Sequence, residues 1–304
     1  MEPKYIQAST WMRDSLHIIG HKTLQELVLP GTHDSGAYSF TKQIMPGSVS
    51  GAVHKIIKIG SGLLTKSINK MEKTQMLTVY KQLKAGTRYL DLRAGYINDD
   101  WYIYHCHTGP KLQEVLQDVK KFLSKHECEF LIIEISHFRN GSPETYKKLQ
   151  IIIEEELFEY FVYKETPLDT PLFTLISSSQ RALVCVPKIH KISNFLWNNN
   201  FIKNTYPNKN NIKMIRKYNE DLVSMFPLEK KLLKVSWIFT PNFSDIKDHL
   251  IDTAVDVNEE MHRSFENMHA RFRGHTKCAN IIIVDNFAKS NIMKIIYKMN
   301  KILI

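Results

Sequence analysis

At 304 residues the chain is long enough to bury one large core or two small ones, and 43% hydrophobic against 24% charged residues is the balance of an ordinary globular protein. Lysine and arginine number 41 against 31 acidic residues, and the resulting net charge of +10 favours an anionic partner, whether phosphate ester, lipid surface or nucleic acid, without choosing among them. Cys106, Cys128, Cys185 and Cys278 form no CxxC pair, which argues against structural zinc and a disulfide framework and for reduced thiols.

The N-terminal "MEPKYIQAST" has no basic stretch followed by an apolar one, and no apolar run is long enough to span a bilayer. A cytoplasmic protein is expected, peripheral to membranes at most. Strand candidates then follow at 24–31, 87–96, 101–107, 129–138, 181–187, 235–241 and 279–287. Several are apolar nearly throughout, as strands buried on both faces of a parallel sheet are. Helical periodicity lies between them. Residues 74–86 place Met76, Val79, Tyr80 and Leu83 on one side and stop at Gly86. Residues 111–126 repeat the pattern with Leu112, Val115, Leu116, Val119, Phe122 and Leu123, and 143–161 open on Pro143 and Glu144. No repeat or flexible linker divides the chain, so residues 1–304 are expected to form a single α/β domain. Seven or eight strands fit a distorted (β/α)8 TIM-type barrel better than a doubly wound open sheet, which stays open as an alternative.

A barrel of this kind gathers its chemistry at the C-terminal ends of its strands. There the sequence places His33-Asp34, then Asp91 and Arg93 two apart, His105 and His107, Glu134 and Ser136, and Asp285. Taken singly, each has an ordinary structural alternative: a helix cap for Asp34 or Asp285, a buried ion pair for Asp91 and Arg93. Together they suit metal-free phosphodiester cleavage. One histidine takes a proton from the attacking oxygen, another supplies one to the leaving oxygen, an arginine holds the phosphate, and carboxylates fix the imidazole tautomers.

"LVLPGTHDSG", "TQMLTVYKQLKAGTRYLDLRAG", "YIYHCHTGPKLQEVLQDVKKFL", "EFLIIEISHF" and "NIIIVDNF" occur here in an order that resembles the X domain of phosphatidylinositol-specific phospholipase C. The resemblance runs from about residue 24 to 290, densely to 138 and at 279–287, loosely between. It is greatest to small eukaryotic X-domain proteins, with a further similarity to the bacterial metal-independent enzymes. It implies His33 as general base on the inositol 2-hydroxyl, His105 as general acid toward the diacylglycerol oxygen, and Arg93 as the phosphate grip. Asp34 would support the acid side, Asp285 would orient His33 and Asp91 would buttress the site; the products would be a cyclic inositol phosphate and diacylglycerol. The "HCHTG" context favours His105 as the acid but leaves His107 open.

Calcium-dependent members of this family carry a carboxylate where this chain has Arg93 and an asparagine where it has Asp34, so the resemblance implies no metal and no other cofactor. Glu134, the remaining carboxylate, is expected to pack. Lys188 and Ser136 are candidate headgroup contacts, Arg181 a solvated charge, and Cys106 an inert thiol. Residues 51–70 mix Ile56, Ile57, Leu63 and Leu64 with Lys55, Lys58, Lys66 and Lys70. They form either an ordinary packed helix pair or an interfacial segment resting on an anionic membrane. The partners expected are thus an inositol phospholipid and a membrane surface, with no obligate protein partner. Net charge alone speaks for nucleic acid, and no basic motif interleaved with aromatics supports it. The alternatives are a catalytically weak phosphoinositide-binding or adaptor protein, and a metal-dependent glycerophosphodiesterase, which would need Glu-x-Asp where this chain has Asp91-x-Arg93.

Overall fold

A computed structural model describes residues 6–48, 72–187, 193–225, 231–240, 250–271 and 279–302. Its strands are β1 (Leu29–Thr32), β2 (Tyr89–Ile97), β3 (Asp100–Tyr104), β4 (Thr108–Lys111), β5 (Leu131–Arg139), β6 (Ala182–Val186), β7 (Leu196–Asn198), β8 (Ile202–Asn204), β9 (Leu232–Trp237) and β10 (Ile281–Val284). Eight of them run parallel in the order β7-β6-β5-β2-β1-β10-β9-β8, while β3 and β4 extend β2 as an antiparallel ribbon. The helices are α1 (Trp11–Asp14), α2 (Leu16–Ile19), α3 (Val79–Lys84), α4 (Leu112–Lys125), α5 (Pro143–Leu157), α6 (Leu172–Ser177), α7 (Ile212–Met225), α8 (Leu250–Arg271) and α9 (Ile292–Met299). This is the expected distorted TIM-type barrel in a single domain. None of the described helices is long and apolar enough to cross a membrane.

The distortion sits between β7 and β8. A parallel crossover needs a dozen or more residues, and only the 3-10 turn Asn199–Phe201 separates these two strands. The chain therefore runs on in one direction, forming the last strand of one side and the first of the other, and no ladder joins the two among the described residues.

Local chemistry explains the elements. The β2–β3 connection is a two-residue turn in which Asn98 and Asp99 both have positive φ, 51° and 60°, as a tight hairpin requires. Helix α5 starts at Pro143 behind a reciprocal cap, with Ser142 accepting from the Thr145 N–H and Thr145 accepting from the Ser142 N–H. Helix α4 buries all six of its expected apolar residues, each contributing about 1.5–3 kcal/mol of transfer free energy. Glycine at position 31 is a steric necessity, because a Cβ there would stand 2.7 Å from Ile283 and 2.8 Å from Tyr89 inside the barrel.

Four expectations need correction. The segment 101–107 is not a parallel strand continuing to His107: β3 ends at Tyr104 and runs antiparallel to β2. Strand β9 begins at Leu232 rather than 235, which puts Lys234 inside it. Met76 precedes α3 and is 50% exposed instead of joining its apolar face. Arg181 is not solvated; it is buried, stacks on Tyr160, and donates to the carbonyls of Leu123 and His126 at 3.0 Å each.

Candidate active site

His33 sits one residue past β1, where Asp34 turns the backbone through the left-handed region at φ 41°. The "THDS" turn is locked by Ser35. Its Oγ accepts from the Asp91 N–H at 2.9 Å and shares a 2.7 Å bond with Thr32 Oγ1, while its N–H reaches the Asp91 carbonyl at 2.7 Å. This lock aligns the end of β1 with the middle of β2, from which Asp91 and Arg93 project.

On the other side of β1, the Asp285 carboxylate accepts from His33 Nδ1 at 2.9 Å, which leaves Nε2 as the imidazole's lone pair. Asp34 stands at the centre. Its Oδ1 is 2.6 Å from Arg93 Nε, and its Oδ2 is 3.5 Å from both His33 Nε2 and His105 Nε2. The two imidazole nitrogens thus lie no more than twice that distance apart, with Asp34 reaching both and the Arg93 terminal nitrogen 3.4 Å from His33 Nε2. His33, Asp34, Asp91 and Asp285 are buried; the His105 side chain is 27% exposed and opens the site to solvent.

Burial alone would lower His33, but the carboxylates of Asp34 and Asp285 overcome it and hold the imidazole at about 8. His105 moves down, because burial is joined by Arg93 and only partly opposed by Asp34. Burial raises Asp285 against the pull of His33. Asp91 falls despite its burial, under the fields of Lys234, His33 and Arg93.

The choice between the two histidines of "HCHTG" follows from their partners. His107 is turned away into the protein, where its Nδ1 meets Glu72 at 2.8 Å and its N–H meets the same carboxylate at 3.0 Å. Ser136 occupies a bulge in β5 opposite Leu92 and Arg93; its hydroxyl lies against Asp91, 2.9 Å from His137 Nδ1 and 3.3 Å from the Leu92 carbonyl. Lys188 and the interfacial candidates Ile56, Ile57, Leu63 and Leu64 lie outside the described residues. The oxygens of Asp34 and Asp91 with a His33 nitrogen form one group with metal-ligand spacing, but the guanidinium of Arg93 already supplies the cationic charge there.

Five contributors were not foreseen. Tyr206 follows β8 and sets its ring 6.2 Å from that of His33, its hydroxyl held 2.8 Å from Thr240 Oγ1; recognising β8 would have placed it at the rim. Lys234 lies in the barrel beneath Asp91 and donates to Glu134 Oε2 at 2.8 Å and the Tyr89 hydroxyl at 2.9 Å, while Asn199 donates to the other Glu134 oxygen at 2.8 Å. Glu134 packs as expected, but paired with Lys234. Thr74 and Gln75 form a buried strap across the ends of β1 and β10. Gln75 Nε2 donates to the carbonyls of His33 at 3.0 Å and Val284 at 2.9 Å, and its Oε1 accepts from the Phe287 N–H at 3.1 Å. Replacing Gln75 with leucine strands the Phe287 N–H, leaves the His33 carbonyl to Thr74 Oγ1 and the Val284 carbonyl to the His33 N–H, and loosens the His33–Asp285 spacing. The expected result is a kcat loss of about tenfold with KM little changed, together with a stability loss of about 1–3 kcal/mol in urea melts.

Residues 61–187 match the family model described as phosphatidylinositol-specific phospholipase C, X domain. The chain is 30% identical over 153 residues to human PI-PLC X domain-containing protein 2, covering 49% of each, and 24% identical over 303 residues to the variant-surface-glycoprotein phospholipase C of Trypanosoma cruzi, covering 86% of this chain and 77% of that one. Its fold matches a phosphatidylinositol-specific phospholipase C from Listeria monocytogenes with a TM-score of 0.67 at 19% identity, over 97% of this chain and 99% of that one. The chain spans 18%, 30% and 49% of the lengths of three curated X-domain relatives. The barrel shares the fold of that Listeria enzyme, and its rim carries two histidines and an arginine. Over residues 61–187 the chain is similar to the phosphatidylinositol-specific phospholipase C X domain.

Proposed function

We propose that this protein cleaves the phosphodiester of phosphatidylinositol-type lipids by metal-independent acid-base catalysis, releasing diacylglycerol and a cyclic inositol phosphate. The observation that carries the reading is the joint presentation, at one rim, of a carboxylate-oriented base, an acid and an arginine that all meet the Asp34 carboxylate. His33 Nε2 takes the proton of the inositol 2-hydroxyl while Asp285 holds Nδ1–H. The freed oxygen attacks phosphorus and closes the cyclic diester. As the bond to the glycerol oxygen breaks, His105 in its protonated form gives that oxygen a proton. Arg93, held by Asp34, neutralises the charge gathering on the phosphoryl oxygens. Asp91 fixes the arginine's approach from below. Tyr206 offers a flat wall beside His33 for the sugar ring. Lys188 is a headgroup contact in this reading, and Ser136 becomes one by exchanging its bond to His137 for the inositol.

The guanidinium stands in the role that calcium plays elsewhere in the family, so chelation leaves the reaction intact. Phosphatidylinositol micelles incubated with the protein in EDTA are expected to release cyclic inositol phosphate and diacylglycerol. Failure to cleave any inositol lipid, in EDTA or in calcium, would overturn the reading in favour of a lipid-binding protein. The substrate's place in a bilayer also makes the protein peripheral to an anionic membrane, which its excess of basic residues favours.

A further inference from the structure

Beside His105 lies a second group of donor atoms that the proposed reaction leaves idle. A nitrogen of the His105 imidazole, a carboxylate oxygen of Glu72 and the Sγ of Cys106 lie within 4.8 Å of one another. Glu72 is 1% exposed and held in place by both bonds from His107. The Cys106 thiol hydrogen-bonds to Glu72, and burial together with that carboxylate pushes it up to about 12. Such a thiol is inert as a nucleophile, yet a metal ion can displace its proton. His105 turns Nε2 toward Asp34, and its Nδ1 is enclosed without a hydrogen-bond partner among the described residues. An unmet buried nitrogen is costly, and a ligand that engages it gains what water cannot supply.

Nitrogen, thiolate and carboxylate are the donors zinc prefers, and tetrahedral bonds of about 2.0–2.3 Å set neighbouring donors roughly 3.5 Å apart, within reach of this group after small side-chain rotations. Two negative donors balance the ion's charge, whereas a harder cation would favour an all-oxygen site.

We propose that Glu72, His105 and Cys106 form a zinc site, with water in the fourth position, whose occupancy switches the enzyme off. Binding forms the zinc–sulfur bond and releases the thiol proton to solvent. With zinc on Nδ1, His105 is held as a neutral ligand, and its Nε2–H is a far weaker acid than the imidazolium, so the leaving oxygen goes unprotonated. This consequence rests on His105 being the general acid; the metal site itself does not.

The test titrates cobalt(II) into the metal-free chain. A near-ultraviolet thiolate-to-cobalt band saturating at one equivalent is expected, displaced by zinc and lost in Cys106→Ser. In turnover of phosphatidylinositol, zinc is expected to lower the wild-type rate about 100-fold, while Cys106→Ser keeps the metal-free rate and resists zinc. No band in the wild type, or a band that persists in Cys106→Ser, overturns the site. A band accompanied by zinc-insensitive turnover overturns the switch. A chain without any turnover would sink the catalytic reading and leave the cobalt band to decide the metal site alone. Cys106→Ala replaces the serine variant if the latter does not melt cooperatively.

Discussion

Replacing His33 with alanine is expected to lower kcat on phosphatidylinositol by about 10²–10⁴-fold with little change in KM, measured as cyclic inositol phosphate released in EDTA. The size follows from what is removed: the group proposed to accept the attacking hydroxyl's proton, already oriented by the 2.9 Å bond to Asp285. The pH profile carries a second signature. The productive enzyme holds one proton on the histidine pair, so kcat/KM falls when both are protonated and again when both are neutral. The limbs belong to the pair. The acidic one lies below the usual histidine value of 6.5 because burial and Arg93 depress His105. The basic one lies near 8, where Asp34 and Asp285 hold His33 against its burial. Asp285→Asn removes one of those carboxylate charges and moves the basic limb to lower pH, and an unmoved limb would contradict the assignment. The same shift bears on stability. His33 is raised, so its ion pairing stabilises the fold fully below pH 6.5 and is lost as pH climbs through about 8.

The second large effect is on stability. Lys234→Met should cost about 3–5 kcal/mol in urea melts, because it strands the Glu134 carboxylate, 1% exposed, without its counter-charge. Tyr89 and Asn199 still donate to Glu134, which keeps the loss within that range. The double variant Lys234→Met/Glu134→Gln removes the stranded charge while keeping an acceptor for Asn199, and more than half the loss should return. Catalysis also suffers in the single variant: Asp91, which Lys234 helps to hold low, moves up and weakens its hold on Arg93. A loss under about 1 kcal/mol would show that the barrel interior tolerates the unpaired carboxylate.

Much of this was legible in advance because each signal was local. Apolar runs between amphipathic helices announced a parallel barrel, and polar residues just past those runs announced the rim: His33, Asp34, Asp91, Arg93, His105 and Asp285 do lie together. What escaped depends on partners distant in sequence. Lys234 reads as the charged edge of an apolar run until Glu134 and Tyr89, 100 and 145 residues away, are seen to meet it. Strands β7 and β8 are three residues long among asparagines, too short to alternate or to show a run, and Tyr206 was lost with them. His105 and His107 share a strand face by alternation, and only the early end of β3 and the position of Glu72 separate them.

The pairing of β1 with β10 has a kinetic meaning. His33 and Asp285 are separated by 252 positions, so the base acquires its orienting partner only when the final strand closes against the first. Closing so long a loop is entropically expensive and slow compared with forming the local β2–β3 hairpin. The oriented base therefore cannot exist before β10 docks on β1. In the proposed reaction, a chain whose last strand has not yet docked lacks the oriented base and should not cut lipid.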